Sequence, residues 1–555
     1  LTSLQECAGT AAGAACLAPT QFTWSAARNE FAVAETPSAV RFGSISKFEG
    51  YKLADIDGDG RLDMVWLKDG LNHEACPTET INVAFGELDE QGRHTFNQMA
   101  QTQVCAPTEL SHFGDGGWFL FDYDGDGRDD LFVAGPAGGA WRIHLSMGRP
   151  SAGQRVFSAG DALAGLSPAI QHHDSQYLQP QLADLNGDGL LDVIYPRAGQ
   201  MYARLMERQG AGFGFGAERL MNYSTAGTAI DCSMTLLCSL SHPTLFREAG
   251  RSQLFDFNGD SRSDVLAVVT RTARYGGGGL CVVPDPGDPS TFASSAVTES
   301  AGIPVRAPDE SGFTTALCGP TQTWAYLVAF KVDDIAAGPN GAISLSVHSA
   351  LNTAYQSPSA VETYQSDHQF ADINGDGLTD VIWRVRDGEW SYAMNTGTGF
   401  GTAVAITGVQ FDRHVKLVDV NGDGRADFLH PVNIGASKRY RIRPGLPTGG
   451  FGPMGLLAGD LAGGCNAHNC NIDNHAIMFA DFDGDGAVDF FTIYLDNSPN
   501  FYGSRASAVH RHRPRDVITA ITSGLGAVTQ LTYSPMTNAA VYRRDSGSRN
   551  GWNVG

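Results

Sequence analysis

Seven short segments of the chain place aspartate or asparagine at alternating positions around two small residues. The first reads DIDGDGRLD, with Asp55, Asp57, Asp59 and Asp63 at its first, third, fifth and ninth positions. Oxygen ligands at alternate positions of a tightly curled loop can surround one point, which is the arrangement that Ca²⁺ requires. Without a cation, carboxylates this close together would repel one another strongly. The spacing therefore predicts calcium-binding loops.

We number these segments loop 1 to loop 7, and we expect the backbone carbonyl of position 7 to complete each ligand set. The predicted ligands of loops 1 to 3 are Asp55, Asp57, Asp59, Arg61 and Asp63; Asp122, Asp124, Asp126, Arg128 and Asp130; and Asp184, Asn186, Asp188, Leu190 and Asp192. Those of loops 4 to 7 are Asp256, Asn258, Asp260, Arg262 and Asp264; Asp372, Asn374, Asp376, Leu378 and Asp380; Asp419, Asn421, Asp423, Arg425 and Asp427; and Asp481, Asp483, Asp485, Ala487 and Asp489. The predicted cofactor is Ca²⁺, with up to seven ions. Ser261 replaces glycine at position 6 of loop 4, which predicts the weakest site there.

The segments around the loops predict strands and not helices. An EF-hand would have an acidic residue at position 12 and a helix on each side. Position 12 is occupied by Trp66, Val133, Tyr195, Ala267, Trp383, His430 and Thr492. The flanking runs are short and rich in β-branched and aromatic residues, which is typical of buried strands. A Gly-rich turn with Phe-Gly follows in several repeats, so each repeat is interpreted as four strands.

Seven such repeats predict an all-β fold, a seven-bladed β-propeller with the acidic loops between the first and second strands of the blades. The step of 116 residues between Asp256 and Asp372 holds an insertion or a decayed eighth repeat, for which residues 326–347 are the candidate. The predicted domains are an end of an upstream β-domain or linker at 1–40, the propeller at 41–505, and a linker with a β-hairpin at 506–555.

Composition and charge exclude several classes of protein. The chain has 555 residues, 42% of them hydrophobic and 18% charged, which is a globular composition. The net charge of −22 argues against a nucleic-acid partner, and no apolar run is long enough for a membrane span. The chain begins at Leu1 without a signal segment, which we expect of a processed product or of a piece of a longer protein.

Ten cysteines indicate an oxidising compartment, and hence a secreted or cell-surface protein. They fall in sequence-neighbour pairs, so five local disulfides are predicted, although spacing does not determine the connectivity. The cysteines are Cys7, Cys16, Cys76, Cys105, Cys232, Cys238, Cys281, Cys318, Cys465 and Cys470. Cys76 and Cys105 are predicted to join two loops on the side of the first blade opposite its acidic loop. The segment CNAHNC at 465–470 is interpreted as a small disulfide loop rather than as a zinc site.

The motif D-x-[DN]-G-D-G-x-x-D resembles the FG-GAP/VCBS repeats of integrin-α-type β-propellers, over residues 45 to 500. Residues 1–24 and the segment RDVITAITSGLGAVTQLTYSPMT at 515–537 resemble the segments before and after the propeller in toxin-complex B-components and related RHS/YD-repeat proteins. The alternation within 515–537 independently predicts a β-hairpin. The resemblance implies a propeller that binds or gates a protein partner, either other toxin or RHS regions or a surface receptor.

No catalytic motif is present, so no catalytic residue is predicted and the protein is not expected to be an enzyme. The segment with His172, His173 and Asp174 is interpreted as a polar inter-strand loop, and the basic run 510–515 as a solvated linker. Trp66 and Trp383 are predicted to lie in the core. For Trp141 and Trp390, stacking on a ligand stays open as an alternative.

Three functions are compatible with the sequence. The first is a calcium-stabilised propeller that acts as a protein-binding or gating module of a secreted RHS-type or toxin-complex protein. The second is a cell-surface adhesin or a carbohydrate-binding propeller, for which a glycan is the partner. The third is a polysaccharide lyase, which would need paired basic residues in a cleft, and the sequence does not mark such a cleft.

Overall fold

The computed structural model describes most of the seven repeats and a short segment near each end of the chain. The described residues are 2–9, 15–25, 51–69, 79–88, 94–105, 118–133, 140–151, 154–163, 172–173, 176–177, 181–197, 200–209, 212–224, 253–276, 279–281, 318–338, 341–357, 368–386, 388–410, 415–434, 437–456, 475–482, 484, 486, 488–494 and 517–534. None of these residues is helical, and no helix capable of spanning a membrane is found among them. The predicted all-β class is confirmed.

Each repeat runs along a short strand, through its acidic loop and back along a second strand. We call the strands around loop 1 unit 1, and we number the other units likewise. Unit 1 consists of Tyr51–Ala54, Asp63–Asp69, Glu79–Leu88 and His94–Cys105, and unit 2 of Trp118–Phe121, Asp130–Val133, Arg142–His144 and Asp161–Ala162. Unit 5 consists of His368–Ala371, Asp380–Arg386, Glu389–Ala393 and Val404–Thr407, and unit 6 of Lys416–Val418, Asp427–Ile434, Ser437–Arg443 and Gly455–Leu456. In each of these four units, the four strands form an antiparallel sheet of their own and follow one another across it in chain order.

Units 3 and 4 share a single sheet of nine strands. Unit 3 contributes Gln181–Ala183, Asp192–Arg197, Gln200–Arg204 and Arg219–Ser224, and unit 4 contributes Gln253–Phe255, Asp264–Gly276, Gly279–Cys281, Cys318–Ile335 and Ile343–Ser357. The last strands of the two units pair in parallel, from Met221 opposite Ile343 to Ser224 opposite Ser346.

Of residues 326–347, the candidate for a decayed eighth repeat, 326–335 lie in the strand Cys318–Ile335 and 343–347 in the strand Ile343–Ser357, both of unit 4. The prediction of a decayed eighth repeat at 326–347 is therefore wrong, because these residues belong to the sheet that begins at loop 4. The long step arises instead from longer strands and from residues 282–317, which lie outside the described part of the chain.

Unit 7 is described through two strands, His475–Ala480 and Asp489–Tyr494. Two small hairpins stand beside the main sheets. They are Met206–Gln209 with Gly212–Phe215, and His172–His173 with Gln176–Tyr177.

Each unit packs its apolar residues against the next unit along the chain. Buried clusters join unit 1 to 2, 2 to 3, 3 to 4, 4 to 5 and 5 to 6, and the rings of Tyr440 and Phe479 join unit 6 to 7 with centroids 5.5 Å apart. Trp66 and Phe96 of unit 1 share a cluster with Phe482 of unit 7. The Leu62 N–H also donates to the Phe482 carbonyl at 3.1 Å. The contacts therefore run through all seven units and return to the first.

The two ends of the chain meet in a separate four-stranded sheet. Its strands are Ser3–Leu4, Thr20–Trp24, Ile518–Thr522 and Val528–Gln530, in that order across the sheet. The predicted hairpin at 515–537 is confirmed by the pairing of the last two strands. Cys7 and Cys16 form a disulfide, as predicted for neighbouring cysteines. The predicted bond between Cys76 and Cys105 stays a prediction, because Cys76 lies outside the described residues.

Candidate metal centres

The first aspartate of each loop binds backbone N–H groups of its own loop. In loop 5, Asp372 Oδ1 accepts from Gly375 at 2.7 Å and from Asp376 at 3.2 Å, and Oδ2 accepts from Gly377 at 2.8 Å. The same three donors, at positions 4, 5 and 6, reach Asp55, Asp184, Asp256 and Asp419. The loop thus curls around its first carboxylate.

This curl requires left-handed backbone at position 6. Gly377 has a φ of 85°, and Ser261, its counterpart in loop 4, has a φ of 68°. Ser261 is the non-glycine residue with positive φ among the residues that the structure describes. L-residues other than glycine pay a steric cost in this region, so loop 4 forms at a disadvantage. That it is the weakest calcium site stays a prediction.

The aspartate at position 9 lies at the centre of its unit. Asp380 is fully buried, and its Oδ2 accepts from the Ile373 N–H at 2.8 Å while its Oδ1 accepts from the Asn395 N–H at 2.6 Å. Ile373 belongs to the loop, whereas Asn395 follows the third strand. Paired bonds of this kind recur at Asp63, Asp130, Asp192, Asp264 and Asp427. Position 9 therefore fastens the loop to the third strand, a role that the sequence did not reveal.

The residue that donates to position 9 lies opposite an aromatic side chain in most units. Asn395 pairs with Phe400, and Gly445 pairs with Phe451. The same arrangement joins Gly86 to Phe96, Ser146 to Phe157 and Met206 to Phe215. In units 3, 5 and 6 this phenylalanine is the Phe of the Phe-Gly pair, at Phe215, Phe400 and Phe451. In these units the Phe-Gly signal and the acidic loop are thus two parts of one structural unit.

Burial raises the pKa of the position-9 carboxyls. It raises the pKa of Asp63 to about 8, with repulsion from Asp57 as a further cause. It raises the pKa to about 7 at Asp130, Asp192, Asp264, Asp380 and Asp427, where backbone hydrogen bonds offset only part of the effect. Negative charge at these positions is therefore costly in the absence of a cation.

The carboxylate at position 5 is held in one of two ways. In loops 1, 2 and 6 it forms an ion pair with the arginine at position 7, and the pairs are Arg61–Asp59, Arg128–Asp126 and Arg425–Asp423. In loops 3, 4 and 5 it accepts from the amide of the asparagine at position 3, in the pairs Asn186–Asp188, Asn258–Asp260 and Asn374–Asp376. The sequence predicted only a backbone role for position 7, so the arginine side chains are an addition.

The oxygen atoms at positions 1, 3 and 9 converge. One carboxylate oxygen from each of Asp55, Asp57 and Asp63 lies within 4.8 Å of the others, and the same holds for Asp122, Asp124 and Asp130. In loop 1 the Oδ1 of Asp57 is buried without a hydrogen-bond partner, and so is the Oδ1 of Asn421 in loop 6. Hard oxygen donors without a partner fit Ca²⁺ and not a metal that prefers nitrogen or sulfur.

Loop 7 is described in part. Asp481 Oδ2 accepts from the Gly486 N–H at 2.8 Å, and Asp489 Oδ2 accepts from the Phe482 N–H at 3.1 Å. These contacts match those of the other loops. Asp483, Asp485 and Ala487 lie outside the described residues.

The other candidates from the sequence that lie among the described residues are buried tryptophans and a short hairpin strand. Trp66 and Trp383 are buried, as predicted. Trp141 and Trp390 are each 1% exposed, so stacking of a ligand on these rings is wrong, because packing already covers them. His172 and His173 lie in a short hairpin strand, while Asp174 and the segments 465–470 and 510–515 lie outside the described residues.

The fold and loops define a protein with FG-GAP-like repeats. The FG-GAP-like repeat family matches residues 122–195 and 372–430, which contain loops 2, 3, 5 and 6. The family described as the insecticide toxin TcdB middle/N-terminal region matches residues 464–554. The chain thus carries both parts of the resemblance seen in its sequence, FG-GAP repeats and a segment of toxin-complex B-component type, and that resemblance is confirmed.

Solved structures similar to the chain include two Tc toxin assemblies. The Tc holotoxin pore of Photorhabdus luminescens is 18% identical over 80% of this chain, with a TM-score of 0.38, and the TcdB2-TccC3-Cdc42 complex is 15% identical over 80% of this chain, with a TM-score of 0.31. The chain spans 16% of the length of each of these proteins. The polysaccharide lyase Uly1 is 7% identical, with 88% of this chain and 99% of the lyase covered and a TM-score of 0.36. No curated protein sequence matches the chain.

Proposed function

We propose that the chain is a calcium-stabilised, seven-bladed β-propeller that serves as a protein-binding or gating module of a secreted toxin-complex or RHS-type protein. The observation that carries the proposal is the TcdB-type segment at 464–554, which begins before loop 7 and continues beyond the last repeat. Its partner would be another region or component of the toxin, which the chain would meet outside the cell.

The cyclic contacts support a propeller. Seven units that each bury an apolar face against the next, with unit 7 returning to unit 1, satisfy all these faces only when the ring is complete. Each unit contributes one acidic loop, so the proposed ring carries up to seven cation sites.

The unpartnered oxygens and the raised pKa values support calcium as a structural element. A dication bound by Asp57 and its neighbours would satisfy Asp57 Oδ1 and stabilise the buried negative charge at Asp63. Because such a cation binds the folded chain and not the unfolded one, its binding would stabilise the fold by mass action. We therefore expect that chelation lowers the melting temperature markedly.

Thermal melts in EDTA and in calcium test this part of the proposal. The calcium-loaded chain should melt at a higher temperature, with a midpoint that rises with free calcium on the order of 10⁻⁴ to 10⁻³ M. Magnesium at the same concentration serves as the control for ionic strength. Identical melting curves in excess EDTA and in calcium would show that calcium does not stabilise the fold.

Binding measurements test the protein-partner part. The immobilised chain is exposed to purified Tc pore components of Photorhabdus luminescens and, in parallel, to a glycan array. The proposal expects saturable binding to a toxin component that weakens when calcium is chelated. Saturable glycan binding without any interaction with toxin components would favour a carbohydrate-binding propeller instead.

A further inference from the structure

Arg149 extends from unit 2 into loop 1 of the neighbouring unit. Its Nε donates to Asp57 Oδ2 at 2.9 Å, its Nη1 pairs with Glu87, and its Nη2 donates to the Gly86 carbonyl at 3.3 Å. The guanidinium also lies over the ring of Phe85, 4.9 Å from its centroid. One side chain thus joins a predicted metal ligand, a second carboxylate and the third strand of unit 1.

The charge of Arg149 is matched to this environment. Its side chain is 29% exposed. Burial lowers the pKa of Arg149, but the carboxylates of Asp57, Glu87 and Asp59 outweigh that effect and raise the pKa above its ordinary value. The guanidinium therefore stays charged within loop 1 and supplies part of the positive charge that the loop requires.

Three consecutive residues of loop 1 are bound by unit 2. Asp55 exchanges two hydrogen bonds of 2.8 Å with Asp129, which uses both its N–H and its carboxylate. The carbonyl of the next residue, Ile56, accepts from Ser146 Oγ at 2.6 Å. Asp57 then binds Arg149. The boundary between units 1 and 2 is consequently fixed through the very residues that would bind a cation.

Units 3, 5 and 6 have no arginine at the position that corresponds to Arg149. In unit 2, Ser146 donates to the position-9 aspartate, and Arg149 lies three residues after Ser146. We therefore compare the residue three positions after the equivalent donor in other units. The corresponding residues are Gln209 in unit 3, Thr398 in unit 5 and Thr448 in unit 6. The other described ion pairs of the loops, Arg61–Asp59, Arg128–Asp126 and Arg425–Asp423, remain within one loop. Loop 1 thus receives a salt bridge from its neighbouring unit, and the residues at the corresponding sequence positions of units 3, 5 and 6 are neutral.

Arg149 leaves Asp57 half engaged. The Asp57 side chain is 7% exposed, its Oδ2 is bound by Arg149, and its Oδ1 has no partner among the described residues. A divalent cation in loop 1 would use Asp57 and would repel the guanidinium beside it. Calcium and Arg149 therefore compete for the carboxylate of Asp57.

We propose that Arg149 is an internal counter-cation of loop 1, which holds the boundary between units 1 and 2 when no divalent cation is bound and becomes dispensable when calcium binds. This inference rests on the proposed calcium function. It predicts that the boundary between units 1 and 2 outlasts the others when calcium is withdrawn.

The test compares melting of the full chain in calcium-free buffer and in saturating calcium. R149Q gives unit 2 the residue type of Gln209, and R155Q is the matched control, because Arg155 is an exposed arginine of the same unit. Without metal, R149Q should melt about 2 °C or more below R155Q, since it loses charge-assisted hydrogen bonds across the boundary. In saturating calcium the two variants should melt together.

E87Q is the second variant, for the case in which R149Q does not fold. Glu87 lies outside the predicted ligand set, so E87Q weakens the hold on Arg149 without removing a calcium ligand. It should show a smaller deficit that is likewise confined to the calcium-free state.

Two results would overturn the inference. One is a calcium-free melting temperature of R149Q and E87Q equal to that of R155Q, which would mean that Arg149 holds nothing. The other is a deficit of the same size in both buffers, which would make the contact purely structural. The response of the unsubstituted chain to calcium tests the proposed function separately, so failure of one is distinguishable from failure of the other.

Discussion

The aspartates at position 9 differ from the other acidic residues of the loops. Asp380 is fully buried and binds two backbone N–H groups from different elements. Asp376 at position 5 is exposed, and its carboxylate accepts from the Leu378 N–H and the Asn374 amide of its own loop. The sequence treats both as ligands of one cation. The structure adds that position 9 also connects the loop to the third strand, so it matters even without a metal.

Substitutions in loop 5 separate the two roles. D380N keeps the shape of the side chain but replaces one accepting oxygen by an NH₂ group, so one of the two buried N–H donors loses its partner. We expect the free energy of unfolding without metal to fall by about 1–3 kcal/mol. D376N should leave the calcium-free stability unchanged and should reduce the gain in stability on adding calcium. Urea denaturation with and without calcium measures both. Equal effects of the two variants in calcium-free buffer would contradict the distinction.

The pH dependence of the calcium-free protein follows from the raised pKa values. The pKa is about 7 at Asp380 and about 8 at Asp63, whereas aspartate in an unfolded chain titrates near 4. The folded state therefore holds more protons between these values, and its stability must fall as the pH rises from about 4 to about 8. Melts in metal-depleted buffer should show this decline, and the gain from calcium should be larger at pH 8 than at pH 5.5. A metal-free melting temperature that rises with pH over this range would contradict the assignment.

Loop 4 offers a test of backbone strain. Ser261 has the left-handed conformation that glycine provides at position 6 elsewhere, so S261G should stabilise the chain by about 0.5–1 kcal/mol, after the greater freedom of glycine in the unfolded state is deducted. The reciprocal change G377S, at a position with open space around the new Cβ, should destabilise loop 5 by a similar amount. Calcium titration of both variants by thermal shift measures the effect. A destabilising S261G would show that the serine side chain has a role of its own.

At the scale of elements, the first strands of neighbouring units are joined by side chains. Gln369 in unit 5 donates to the Val415 carbonyl at 2.5 Å and accepts from the Leu417 N–H at 2.8 Å, so it binds the edge of the first strand of unit 6. Three residues before the first aspartate of loop 1, Lys52 occupies the corresponding position and reaches the ring of Trp118 in unit 2 at 4.8 Å. This position therefore reaches from one unit to the next.

Gln369 can be tested against a glutamine outside the first strands. Q369A removes both bonds to the first strand of unit 6 and leaves a part-buried N–H and carbonyl unpaired, which should cost about 1–3 kcal/mol. Q410A is the control, because Gln410 makes only a 3.3 Å contact with the Asn433 N–H at an exposed site. Hydrogen exchange should show faster exchange at Leu417 in Q369A and no change in Q410A. Unchanged protection of the Leu417 N–H from hydrogen exchange in Q369A would show that the two Gln369 bonds do not hold the first strand of unit 6.

The sequence predicted the elements better than their partners. Short runs such as those before and after each loop became strands, because β-branched and aromatic residues between turn residues define a buried strand locally. The nine-stranded sheet of units 3 and 4 was not predicted, since the parallel pairing of Arg219–Ser224 with Ile343–Ser357 joins distant parts of the chain. The pairing of Thr20–Trp24 with Ile518–Thr522 was missed for the same reason.

For the candidate site, the spacing of the aspartates predicted the curled acidic loops, because the curl is local. Binding of calcium by positions 1, 3, 5 and 9 stays a prediction. The spacing did not identify Arg149, whose role depends on the packing of unit 2 against unit 1. Nor did it identify the second donor to each position-9 aspartate, which lies 14 to 68 residues further along the chain.

At the scale of the whole molecule, the proposed calcium sites account for both the repeated acidic loops and much of the negative net charge. The net charge of −22 includes the aspartates of seven loops, and each proposed calcium ion would offset two negative charges. Contacts that pass through seven units and return to the first make every unit a neighbour of two others. The proposed ring is therefore expected to gain stability from each loop that binds an ion.

The most direct measurement is the number of calcium ions bound per chain. Equilibrium dialysis against about 5 mM free calcium, followed by elemental analysis, counts them at a concentration above the range expected of extracellular sites. The account predicts several ions per chain, up to seven, and the loss of one ion in D376N. A chain that binds no calcium above the buffer background at this concentration would contradict the central claim.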